Sequence, residues 1–173
     1  MDHLIIFMGV RGRMGTSRVR RRFLKAREVR LLLREARSQL GVEIPLGRVE
    51  EGRISEDVRL FFVEERPLLL RIGGRLLPTL LYREVLEHLP AVVVDMGAVP
   101  YICRGADVMA PGITEVKGEF EKDELVVVRD ERYGKALALG LSLFSSAEVR
   151  EMRKGKAIKN LHYVGDEVWD AYK

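Results

Sequence analysis

Four arginines, Arg27, Arg30, Arg34 and Arg37, recur at intervals of three and four residues. At roughly 3.6 residues per turn this spacing lines them along one helix face. None has a carboxylate three or four residues away, and successive members are like-charge neighbours, each pair costing roughly 0.2–0.5 kcal/mol in a helix. A stripe built at that cost can hold phosphates. The other reading is that carboxylates from residues 41–90, where acids outnumber bases, face it in the fold. A second basic set is Arg150, Arg153, Lys154, Lys156 and Lys159, with Glu151 the single acid between them, leading to His162 and Tyr163. Cations beside aromatic rings are the ingredients of single-strand binding, through phosphate attraction and base stacking. The alternatives are a solvated helix end, where basic side chains suit the helix dipole, and two rings that simply pack a barrel.

Enzymatic chemistry finds little support. His3, His88 and His162 with the lone Cys103 have no metal-site spacing, and no G-x-S-x-G, phosphate loop or dinucleotide fingerprint occurs. Cys103 ends an apolar stretch and reads as a small buried hydrophobe rather than a nucleophile served by His162. Asp95 reads as a turn cap. No catalytic residue, metal or cofactor is therefore expected. Two G-x-x-G tetrads, Gly9–Gly12 and Gly12–Gly15, lack the preceding helix that an RNA-clamping KH loop requires, since only eight residues come before them.

The chain of 173 residues is 47% hydrophobic and 32% charged, which fits one compact domain or two small ones and excludes a disordered chain. No apolar run is long enough to span a membrane. No export signal is read at the N-terminus, and one cysteine excludes an internal disulfide framework. A cytoplasmic protein is expected. The net charge of +4 is unevenly placed: residues 1–40 carry +8, whereas residues 41–90 and 91–173 carry −2 each. A basic N-terminal third suggests an acidic partner, either nucleic acid or another anionic surface.

The elements that must position these groups divide near Leu89-Pro90. Residues 1–17 show no helical or strand period and are expected to be loosely ordered. A short strand is expected over Arg20–Leu24, then a helix over Ala26–Gln39 stopped by Gly41, with Val29, Leu32, Leu33, Ala36 and Leu40 as its buried stripe. Asp57–Glu64, Leu68–Ile72 and Arg75–Leu77 read as antiparallel strands, the last two joined at Gly73-Gly74. A second helix is expected over Thr79–His88. Beyond Pro90, strands are expected at Ala91–Asp95, Val99–Ile102, Glu124–Arg129 and Lys135–Phe144. Ser145 with Glu148 has capping-box spacing and opens a helix expected to stop at Gly155. Closely spaced strands and turns suggest a small barrel.

The segments Val94-Asp-Met-Gly-Ala-Val-Pro-Tyr-Ile102 and Arg104–Ile113, with Gly134-Lys-Ala-Leu-Ala-Leu-Gly140, Ser146-Ala-Glu and Gly155-Lys-Ala-Ile-Lys-Asn-Leu-His-Tyr-Val-Gly-Asp166, resemble the PUA domain. That module is named for pseudouridine synthases and archaeosine transglycosylases. The closing His-Tyr, Gly-Asp and Trp169 resemble archaeal relatives of the malignant T-cell-amplified sequence family of translation re-initiation factors, and Pro78-Thr-Leu and Leu89-Pro90 resemble that family's approach to its PUA domain. The resemblance implies an α+β protein with a pre-PUA unit over residues 18–90 and a PUA pseudo-β-barrel over 91–173. It also implies a non-catalytic RNA-binding protein acting in translation initiation or ribosome recycling, with tRNA or rRNA as partner, alongside the small ribosomal subunit and an initiation-factor-like protein. The family's RNA-contacting loop corresponds here to Arg104, Gly105, Ala106, Met109, Ala110, Pro111, Gly112 and Ile113. Gly105 and Gly112 would let backbone N–H groups approach a phosphate or base, and Arg104 would supply a charged fork. With Arg153, Lys154, Lys156, His162, Tyr163 and the four helix arginines, these form the candidate RNA-binding set. A protein-interaction adaptor and a specificity subunit for a separate RNA-modifying enzyme are the alternatives.

Overall fold

The computed structural model describes residues 19–172. The expected loose order of residues 1–17 and both G-x-x-G tetrads lie outside this range. The chain is a mixed α+β protein built on two sheets. Strand β1 (Arg21–Phe23), helix α1 (Ala26–Leu40) and strands β2 (Val49–Arg53), β3 (Val58–Val63), β4 (Arg66–Ile72) and β5 (Arg75–Pro78) come first, and their strands form an antiparallel sheet in sequence order. After α2 (Arg83–Leu86) come β6 (Ala91–Val94), α3 (Val99–Ile102), β7 (Val108–Met109), β8 (Ile113–Lys117), β9 (Leu125–Asp130), β10 (Ala136–Ser142), α4 (Ser146–Glu151), β11 (Lys156–Tyr163) and α5 (Glu167–Ala171). The second sheet runs β7-β11-β10-β9-β6-β8, all antiparallel except β6 with β9. A 3-10 turn over Ala110–Gly112 links its two edge strands, so the sheet curls into a half-barrel.

The first sheet is covered on both faces. Phe61, Val63, Leu69 and Leu76 pack with Leu32 and Ala36 of α1, while Leu60, Phe62, Leu70 and Leu77 pack with Val168 of α5, flanked by Leu125, Leu161, Ala171 and Tyr172. This is why β3 reads Val-Arg-Leu-Phe-Phe-Val instead of the alternation of a half-exposed antiparallel strand. Helix α1 stops at Gly41, whose left-handed backbone (φ +65°) lets its N–H bond the Arg37 carbonyl.

Several expected elements differ. Helix α2 has only four residues, because Thr79 extends the ladder through its N–H to the Leu68 carbonyl and its hydroxyl to the Pro67 carbonyl. Val99–Ile102 is a helical turn rather than a strand: Asp95 Oδ1 accepts the Ala98 N–H at 2.9 Å and Pro100 sits in the first turn. The capping box of Ser145 and Glu148 forms, but α4 ends at Glu151, four residues before Gly155. Strands β2, β7, β8 and β11 and helix α5 are additions to the sequence reading. Among the described residues no helix is long and apolar enough to cross a membrane.

Candidate nucleic-acid interface

The Arg104–Met109 loop leaves α3 and runs beside β11. Asn160 on β11 ties it down: its side-chain amide donates to the carbonyls of Ile102 (3.1 Å) and Ala106 (3.0 Å), and its backbone N–H donates to Asp107 (2.8 Å). The other Asp107 oxygen meets Lys156 at 2.7 Å. Asp107 is held below the ordinary carboxylate range: burial works against ionisation, but Lys156 and the Asn160 N–H outweigh it. Met109 pairs with Lys156 across the ladder, and the Ala110 N–H reaches the Gly155 carbonyl at 2.8 Å. The loop and the basic segment before β11, separate in sequence, are therefore one surface.

Gly105 has φ +94°, and a Cβ there would lie 3.0 Å from the Tyr163 hydroxyl. The glycine thus seats the loop on the Tyr163 ring. The N–H groups of Arg104, Gly105 and Ala106 all bond carbonyls of residues 101 and 102, which corrects the expectation that Gly105 frees backbone donors for a ligand. A Cβ on Gly112 would meet Ala98 at 3.3 Å, so that glycine allows α3 to pack closely. Ala110 is buried, Gly112, Ile113 and Tyr163 are half-buried, and Arg104, Ala106, Met109, Pro111, Arg153, Lys154 and Lys156 are exposed. No ion pair engages Arg104, Arg153 or Lys154 among the described residues, whereas Arg150 is held by Glu119 at 3.0 Å.

His162 cannot serve as a stacking surface, because it is fully buried. Its Nδ1 lies 2.7 Å from Asp166 and its Nε2 3.0 Å from the Tyr172 hydroxyl. Asp166 also accepts the N–H groups of Tyr163 (3.0 Å) and Trp169 (2.7 Å), capping α5. Burial, with Asp166 nearby, pushes the Tyr172 hydroxyl far above its usual range. The ring therefore joins the barrel to the closing helix. Cys103 packs half-buried against the barrel core, and burial pushes its thiol up.

On α1 the arginines are exposed, and no side-chain hydrogen bond or ion pair among the described residues engages Arg27, Arg30 or Arg34. Arg37 reaches Glu43 only at 3.8 Å, with both side chains at least 77% exposed. The acids of residues 41–90 mostly face elsewhere: Glu50 meets Arg21, Glu51 meets Arg22 and Arg59, and Glu84 meets Arg66. The other flank of α1 turns inward, with Glu28 on Arg22 and Glu35 on Arg71. No hydrogen bond or ion pair joins the arginine face to the Arg104 loop among the described residues.

Two exposed aromatics escaped the sequence reading. Tyr101 is 66% exposed on α3, and Tyr133 is 67% exposed in the β9–β10 turn. Tyr101 lay in a segment taken for a strand. The signal for Tyr133 was an aromatic between Arg132 and Lys135 in a Gly-containing turn.

An α+β chain whose second sheet is a pseudo-barrel, with a loop lashed along its last strand, has the architecture of a PUA-domain protein. Residues 90–164 match the family model of the PUA domain. An uncharacterized protein of Methanocaldococcus jannaschii is 36% identical over 157 residues, spanning 87% of this chain and 96% of that protein. Translation machinery-associated protein 20 of Eremothecium gossypii is 30% identical over 126 residues, 68% of this chain and 69% of that one. The crystal structure of a PUA domain from Aeropyrum pernix superimposes with a TM-score of 0.76 at 25% identity, covering 90% of this chain and 91% of that one. The chain belongs to the PUA-domain family that includes translation machinery-associated protein 20 and the malignant T-cell-amplified sequence proteins.

Proposed function

We propose that this protein is a non-catalytic RNA-binding factor of the translation apparatus, holding tRNA or rRNA against the Arg104–Ile113 loop and the neighbouring Arg153 and Lys154. The observation that carries this reading is an exposed basic surface, tied to a rigid barrel strand by Asn160 and Asp107, whose outer cations have no acidic partner among the described residues. Charges in that state attract phosphate, and a fixed loop loses little entropy on binding. A named relative, translation machinery-associated protein 20, supports the translation setting.

The arginine face of α1 supplies a second phosphate-holding surface. The same exposed cations would also suit an acidic protein partner there, such as an initiation-factor-like protein or a component of the small ribosomal subunit. Binding of intact tRNA and of the same tRNA lacking its 3′ single-stranded end, measured over a salt series, tests the main reading. A preference for the intact end that persists at higher salt supports the loop as the binding site. Equal and steeply salt-dependent binding reduces the reading to general phosphate attraction.

A further inference from the structure

The β9–β10 turn is held with unusual care for a surface hairpin. Asp130, buried at the end of β9, accepts the backbone N–H groups of Tyr133 and Lys135 with its carboxylate, and its backbone carbonyl accepts the Gly134 N–H at 3.1 Å. The turn is also fastened to the barrel: the Glu131 N–H donates to the Val94 carbonyl at 3.0 Å, and the Glu131 carboxylate accepts the Met96 N–H at 3.3 Å. Met96 belongs to the bend that Asp95 closes to start α3, and α3 carries Tyr101 and delivers the chain to Arg104. The rigid turn and the loop therefore share one end of the barrel.

What this scaffold displays is an aromatic ring flanked by cations. Arg132 and Lys135 lie 6.0 and 5.6 Å from the Tyr133 ring centroid, and among the described residues neither pairs with a carboxylate. The Tyr133 and Tyr101 rings are about two-thirds exposed. The fold does not use them as core, since neither belongs to a buried cluster. Exposed rings beside unpaired cations are the combination that binds unpaired nucleotides, by stacking and phosphate attraction together.

We propose that the RNA surface extends from the Arg104 loop across α3 to the β9–β10 turn, where Tyr101 and Tyr133 stack on unpaired bases and Arg132 and Lys135 hold the adjoining phosphates. This rests on the RNA-binding reading above and adds to it residues that distinguish single-stranded from duplex RNA.

The test measures the binding of wild-type protein, Tyr101→Ala, Tyr133→Ala, Tyr133→Phe and Arg132→Gln to two labelled RNAs, a hairpin with an unpaired 3′ tail and the same hairpin blunt-ended. Each tyrosine-to-alanine change is expected to weaken tailed-hairpin binding about tenfold, leaving blunt-hairpin binding and thermal stability unchanged, and Tyr133→Phe is expected to bind as wild type. Arg132→Gln is expected to lower the slope of log affinity against log salt by about one. Wild-type binding that both alanine variants match, or an equal loss on the two hairpins, overturns this proposal alone. Wild-type protein that binds neither hairpin overturns the RNA-binding reading as well.

Discussion

Carboxylates do different work beside the first sheet and at the Tyr133 end of the barrel. Along the seam between α1 and the first sheet they neutralise arginines: Glu28 and Glu51 clasp Arg22, Glu50 meets Arg21, and Glu35 takes Arg71 with both oxygens at 2.6 Å. Arg22, with its own hydrogen bond foremost, holds the Glu28 carboxyl down at about 2. At the Tyr133 end of the barrel, Asp95, Asp130, Glu131 and Asp166 are directed to backbone N–H groups, and nearby cations keep their charge unmatched. Similar residue types thus build structure in one place and leave a field facing solvent in the other. The count of basic residues therefore says less about binding than how the acids are engaged.

Substitutions at three positions can break or sharpen this contrast. Asp130→Ala strips the Tyr133 and Lys135 N–H groups of their acceptor and is expected to cost about 2–3 kcal/mol, measured by urea unfolding. Burial tends to raise the Asp130 pKa, but the backbone donors outweigh it and hold the pKa below the usual value. Its stabilisation is therefore fully present above the unfolded-state pKa of about 3.9 and is lost as pH falls through the lower folded value. Asp130→Asn should unfold with a shallower acid dependence below about pH 4 than wild type. An identical acid profile would contradict the assigned role. Next in size, Arg71→Gln is expected to lose about 1–2 kcal/mol, because the Glu35 pair is roughly three-quarters shielded from solvent, while RNA binding stays unchanged. Arg104→Gln should show the reverse, weakened RNA binding at unchanged stability, and a stability loss matching that of Arg71→Gln would erase the distinction between the regions.

The smallest effect on stability is expected for the combined change of Arg27, Arg30 and Arg34 to Gln. Relief of like-charge repulsion should leave unfolding within about 0.5 kcal/mol of wild type or slightly improved. The salt dependence of RNA binding should flatten by about two in slope. Binding that keeps its slope would remove α1 from the RNA surface.

Local signals made much of the fold legible. Gly41 set the end of α1, Gly73-Gly74 marked the β4–β5 turn, and Ser145 with Glu148 marked the start of α4. Misreadings came where long-range pairing overrode local pattern. Strand β2 reads Val-Glu-Glu-Gly-Arg and lacks a strand's apolar rhythm, yet β1 and β3 pair on either side of it. Val99-Pro-Tyr-Ile102 is apolar and short, and its helical turn depends on the cap that Asp95 supplies from before it. Residue types at the candidate interface were legible through the family pattern, but their grouping was not. Asn160 joins the loop to β11 across more than fifty residues of sequence, a link no periodicity reveals.

Helix α5 has a consequence for how the chain is made. One face of the first sheet is sealed by Val168, with Ala171 and Tyr172 beside it, more than a hundred residues after Ile54, Val58 and Leu60 have been synthesised. A growing chain can lay α1 on the near face of that sheet early, but the far face is completed only by residues made more than a hundred positions later. The first sheet must wait, exposed to chaperones and to other nascent chains, for a covering piece that arrives much later than its own strands.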